Sequence, residues 1–314
     1  MMSLLVAPVA IAKPNNQAEA AKVLDQFFRG AIGMNQALNR VQYLGEQRYA
    51  AAEAVFALKR TSDRKLRGQI LEFLSALGVK DDDVERAFLQ TLLSDDTGEV
   101  MTSARGLGKL KSEHAVKPLL SLLTHQMLGI RRESARALGE IGKSAAGAPL
   151  VKAAKEETDL DVKLLMLVAV GRCGDKKQAP ALEAFLKDDS ETTRFAAAQG
   201  LCALGTPSCA TFAGKLLAST DKNERMQGVM LFEGTSAKVA GPVLEKVLTE
   251  TDGKLRARAA RILAQGGDAK KLDWLVIESS KAKGEERLPY EDELEKLRLS
   301  DEQRAAILKK AGLK

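Results

Sequence analysis

Ile130-Arg-Arg-Glu-Ser-Ala-Arg-Ala-Leu-Gly139 and Glu191-Thr-Thr-Arg-Phe-Ala-Ala-Ala-Gln-Gly-Leu-Cys-Ala-Leu-Gly205 are two copies of one pattern. A basic residue is followed four positions on by a small or apolar residue, seven on by an apolar one and, in most copies, eleven on by glycine. Arg67, Arg131, Lys163, Arg194, Arg225 and Arg256 hold the basic position, and Val100 fills the one slot without a cation. The copies recur every 31 to 33 residues. A period of that size marks stacked supersecondary units, none of which can bury its apolar face without its neighbours.

Each copy reads as a helix. An Asp stands four residues before the basic position at Asp63, Asp96, Asp159, Asp221 and Asp252, where its carboxylate can cap free backbone N–H groups at the positive end of the helix dipole. Residues four and seven after the basic position share one buried stripe. Gly78, Gly142, Gly174, Gly205 and Gly267 follow where a helix end wants a left-handed residue, while Lys111 and Ser236 occupy that place in two copies. A second helix precedes each copy. It is marked by Pro118, Pro149, Pro180 or Pro242 near its start, with Thr211 in one copy, and proline is tolerated in a first turn. No stretch alternates long enough to predict a strand.

These segments resemble HEAT repeats, of the short bacterial kind found in phycobilisome-lyase-like proteins, over about residues 47–282. The resemblance implies an all-α fold, a right-handed α-solenoid of about seven helical hairpins with N- and C-terminal capping helices. It implies little about function, because such arrays mostly bind proteins while a minority bind nucleic acid, chromophores or substrates. Residues 13–46 read as N-terminal capping helices and 47–282 as the solenoid. Residues 283–314 read as a charged linker, then a last helix opened by the capping-box sequence Ser300-Asp-Glu-Gln303. The charged stretch 281–295 is expected to be surface linker.

Residues 1–12 form a candidate truncated signal peptide. They are apolar and end in Ala10-Ile11-Ala12, the small-x-small form of a signal-peptidase site, but no basic segment precedes them. If cleaved, the protein is periplasmic or secreted; otherwise it is cytoplasmic. The stretch is far too short to span a membrane. Cys202 and Cys209 stand seven apart around a Gly-Thr-Pro turn. They are readable either as a bridge or as two small buried residues.

Catalytic patterns are scarce. His114 and His125 are eleven residues apart, too far to share a metal on one helix; each reads as an exposed or capping residue. No CxxC, HExxH, GxSxG or phosphate loop occurs. No cofactor, metal or catalytic residue is expected, and the chain reads as non-enzymatic.

The basic register is the one candidate site. The favoured expectation is a structural ladder in which Arg67, Arg225 and Arg256 pair with Asp63, Asp221 and Asp252, Asp159 belonging to the same series, since Asp-to-Arg at i,i+4 brings the side chains together. Arg131 and Arg194 have Met127 and Ser190 at the Asp position. With Arg132, Arg136 and Lys163 they are the candidate partner-binding residues.

The leading function is a scaffold presenting a helical surface to a protein partner. A nucleic-acid binder, resembling the HEAT-like DNA glycosylases, is the alternative suggested by net charge +6. Against it, 42 acidic residues intersperse 48 basic ones and aromatics make up only 4%. A lyase-like handler of a prosthetic group is the third.

Overall fold

The computed structural model describes residues 16–313, and among these every regular element is helical. The candidate signal peptide therefore lies outside the described residues. The chain divides into two compact units, one ending at Ala146 and the other beginning at Gly147.

In the first unit, α1 (Asn16–Phe28) and α2 (Met34–Leu44) precede three hairpins: α3 (Gln47–Arg60) with α4 (Arg64–Leu77), α5 (Asp82–Thr91) with α6 (Thr97–Leu110), and α7 (Val116–Ser121) with α8 (Leu128–Ile141). The second unit has four hairpins: α9 (Gly147–Glu156) with α10 (Leu160–Arg172), α11 (Ala179–Phe185) with α12 (Glu191–Ala203), α13 (Pro207–Leu217) with α14 (Lys222–Met230), and α15 (Ala237–Val247) with α16 (Gly253–Gln265). It closes with α17 (Ala269–Lys281), α18 (Leu288–Leu297) and α19 (Asp301–Lys310). This is an all-α repeat fold.

The period sets the core. The residues four after the register are Leu71, Ala104, Ala135, Leu167, Ala198, Val229 and Ala260; those seven after it are Leu74, Leu107, Leu138, Val170, Leu201, Phe232 and Leu263. None is more than 1% exposed. Small residues let neighbouring second helices touch. A Cβ on Gly108 of α6 would stand 2.9 Å from the Ala137 Cα of α8, and one on Gly171 of α10 would stand 2.5 Å from the Gly200 Cα of α12.

The helix ends follow their capping chemistry. Asp63, Asp96, Asp159, Asp221 and Asp252 each accept backbone N–H bonds in the first turn of their own helix. Ser190 does the same for α12, and His125 Nδ1 accepts the Met127 N–H at 3.0 Å where no capping Asp is present. Lys111 ends α6 in the left-handed conformation at φ 56° without glycine.

Three expectations need correction. Residues 281–295 are not a linker, because α18 occupies most of the stretch and buries Tyr290, Glu293 and Leu294. Tyr290 and Leu294 are one helical turn apart, a stripe hidden by the surrounding charge. Pro242 lies inside α15, which starts at Ala237, rather than in the first turn. Ser236 stops nothing: Gly234 takes the left-handed turn at φ 73°, and Ser236 precedes the next helix.

Cys202 of α12 and Cys209 of α13 form a disulfide, Cα to Cα 4.8 Å, so of the two readings the bridge holds. Cys173 is a buried thiol with its pKa pushed up to about 12 by burial and by Asp175. Cys202→Ser with Cys209→Ser is expected to lower stability by about 2 kcal/mol for so short a loop. Melting with and without reductant checks this: wild type should fall to the variant's midpoint only when reduced.

Candidate interaction surface

The basic register ties turns. Arg67 Nη1 donates to the Leu58 and Thr61 carbonyls at 3.1 and 3.4 Å. Arg131 Nη1 donates to those of His125 and Gln126 at 2.9 and 3.1 Å, and Arg194 Nη1 to those of Asp188 and Asp189, both at 2.8 Å. Arg256 Nε donates to Leu248 O at 3.1 Å. These carbonyls end the first helix of each hairpin or lie in the turn after it. Each cation thus satisfies acceptors that the helix leaves without partners.

The expected Asp–Arg ladder is not what forms. The carboxylates of Asp63, Asp221 and Asp252 point at backbone N–H groups of their own first turns, while each of the three arginines reaches a glutamate instead. Arg67 pairs with Glu99 one repeat later, at 2.5 and 3.1 Å, and Glu99 is buried. This hydrogen bond is the main reason the Arg67 pKa is raised. Arg225 pairs with Glu250, and Arg256 with Glu278 at 2.9 Å while its guanidinium stacks on Trp274. Arg131 and Arg194, expected as binding cations, are engaged in the turns. Lys163 is half-buried at the register position of α10.

One and five residues after the register, each second helix presents two residues on one of its faces, since a spacing of four returns to the same face, and within each unit these form a stripe. In the first unit this stripe reads Met101 and Arg105 on α6, then Arg132 and Arg136 on α8. In the second unit it turns apolar but for one glutamine: Leu164 and Val168 on α10, Phe195 and Gln199 on α12, Met226 and Met230 on α14. All six are half-buried, neither core nor fully solvated. A helix apolar on its packed face and again on the opposite face has a second surface to cover. Methionine suits such a surface because its unbranched, polarizable chain adapts to what it meets.

The row ends at α16, where the fifth-position residue is Arg261, only 5% exposed. Arg261 contacts Glu233, Glu293 and Gln265, and Arg258 holds Glu293 at 2.7 Å. This network joins α16 to α18. In the first unit, Arg105, Arg132 and Arg136 converge on buried Glu133 at 3.6, 4.0 and 3.5 Å.

Of the expected partner-binding residues, the structure brings Arg132 and Arg136 together with Arg105, which sequence reasoning did not single out. It also missed the apolar row. The signal for both was the column of letters one and five places after the register, which changes from charged to apolar at Leu164. His114 Nδ1 lies 3.1 Å from Glu85 on the surface. Among the described residues no cluster of His, Cys, Asp or Glu could hold a metal, and no helix is long and apolar enough to cross a membrane.

Residues 101–168 and 147–233 match the family model for HEAT repeats, so this stretch of the chain carries HEAT repeats. Among solved structures, the complex of CpcE and CpcF of phycocyanin lyase from Nostoc sp. PCC7120 is similar over 79% of this chain and 94% of that one, with a TM-score of 0.55 at 19% identity. An engineered protein is similar over 95% of each chain, with a TM-score of 0.42 at 18% identity. At 19% identity the likeness to the lyase complex is one of fold. No curated protein matches the chain in sequence.

Proposed function

We propose that this helical-repeat scaffold acts without catalysis of its own, holding a protein partner against the second-helix face of its second unit. The observation that supports this is the register-matched row Leu164, Val168, Phe195, Met226 and Met230. Three consecutive second helices repeat the same part-exposed apolar positions, where a solvated face would carry charge. Such a surface gains roughly 25 cal/mol for each Å² of apolar area it covers, and its mixed Leu, Val, Phe and Met content fits an amphipathic helix or an extended apolar segment. The Cys202–Cys209 bond supports an oxidising compartment, which agrees with the signal-like sequence at residues 1–12.

A photo-crosslinking residue placed at Phe195 or Met226 in native cells tests the proposal, with exposed Lys215 of α13 as control. The first two sites should give a discrete protein adduct that the control lacks and that Met226→Asp with Met230→Asp removes. Identical labelling at all three sites, or an adduct that is nucleic acid, would sink it. The likeness to a phycocyanin lyase supports a second reading, in which the chain takes part in modifying the protein it holds. Covalent change of the captured partner during incubation with the chain would promote that reading.

A further inference from the structure

Glu133 is nearly sealed from solvent, its side chain 3% exposed, while the three arginines around it are 41–45% exposed. Their separations of 3.5 to 4.0 Å exceed the 2.7–2.9 Å of a charge-assisted hydrogen bond. Glu133 Oε2 accepts no hydrogen bond. This differs from the Arg67–Glu99 pair, which closes to 2.5 Å, with Arg67 Nε and Nη2 donating to the acid and Nη1 to turn carbonyls. Here one carboxylate offsets the mutual repulsion of three guanidinium groups and holds them together while all three side chains stay part-exposed. The cluster carries net positive charge and is organised before anything binds.

We propose that Arg105, Arg132 and Arg136 form a binding site for carboxylate side chains of an acidic protein segment. Guanidinium donors in a fixed fork match the two oxygens of a carboxylate. The charges are local rather than continuous. At the same stripe position one repeat earlier stands exposed Glu72 on α4, a neighbour of α6, so a polyanion following the repeats meets a repelling carboxylate. That favours one short acidic segment over a phosphate backbone, which gains by contacting many cations along its length. The site belongs to the first unit and does not depend on the apolar row of the second.

The full chain and a fluorescein-labelled peptide of alternating Glu and Ser test this by anisotropy at low ionic strength. Arg105→Ala with Arg136→Ala should weaken binding about tenfold or more, since losing even one charged hydrogen bond costs on the order of a factor of ten. Arg132→Ala alone should weaken it several-fold. Arg64→Ala with Lys80→Ala removes the same charge from exposed positions on other elements and should leave affinity within about twofold. Melting curves establish that each variant is folded. Unchanged peptide affinity in Arg105→Ala with Arg136→Ala overturns the proposal. It is equally overturned if single-stranded DNA of equal charge binds more tightly than the peptide and shows the same loss in that variant.

Discussion

Gly171→Ala is expected to lower the stability of the second unit by about 3 kcal/mol, the upper end of overpacking costs. The added methyl would stand 2.5 Å from the Gly200 Cα and 2.7 Å from its carbonyl carbon. These are backbone atoms of a neighbouring helix, so no rotamer relieves the contact and α10 and α12 must part. Intrinsic preference runs the other way, because alanine in a helix interior is favoured over glycine by about 1 kcal/mol. The sign of the result therefore separates packing from propensity. Gly214→Ala is the contrast: a Cβ there meets nothing within 4 Å, and α13 should gain stability. Urea midpoints for both variants decide it, and a Gly171→Ala protein as stable as wild type would mean that α10 and α12 are not in backbone contact.

Glu293→Ala should cost about 3 kcal/mol, the lower end for breaking a buried ion pair, because Glu233 remains on Arg261. Burial pushes the Glu293 pKa up, but hydrogen bonds from Lys296, Arg261 and Arg258 outweigh it and hold the carboxyl below the usual carboxylate range. Glu291 is lowered in the same way, its own burial outweighed by Ser279, Arg304 and Arg287. A carboxylate depressed in the folded state contributes stability that is complete above the unfolded value. It is lost as pH falls through the folded one, which lies below the ordinary glutamate value. The gap between wild type and Glu293→Ala should therefore narrow as pH falls below the ordinary glutamate value of about 4.3. A gap of constant size would show that the loss is one of packing rather than of charge.

The repeat was legible because burial is periodic. Every position four or seven after the register is a core residue, and the Asp caps are local, readable from a few letters. The acid partner of each arginine was not legible. Asp63 and Arg67 are four apart and looked paired, but capping claims the Asp first, and Glu99 lies 32 residues from Arg67. Only the stacking of one hairpin on the next makes them neighbours. Tyr290 and Leu294 were obscured for a related reason: a helix covering a charged network carries matching charge, which in sequence looks like a linker. The apolar row was present as letters, yet a Leu or Met at helical spacing reads as core until the fold shows that the core is already filled from the other side.

The arginine tie has a consequence for how such a chain can change length over time. Arg67 fastens the turn of its own hairpin with one nitrogen and reaches into the next hairpin for Glu99 with two others. A duplication or deletion that begins and ends at the same point of the period keeps such an arginine with both its turn and its glutamate. One that cuts mid-period strands a buried glutamate without its cation, a loss of several kcal/mol. Whole hairpins are thus the unit in which this array can be inherited, gained or lost.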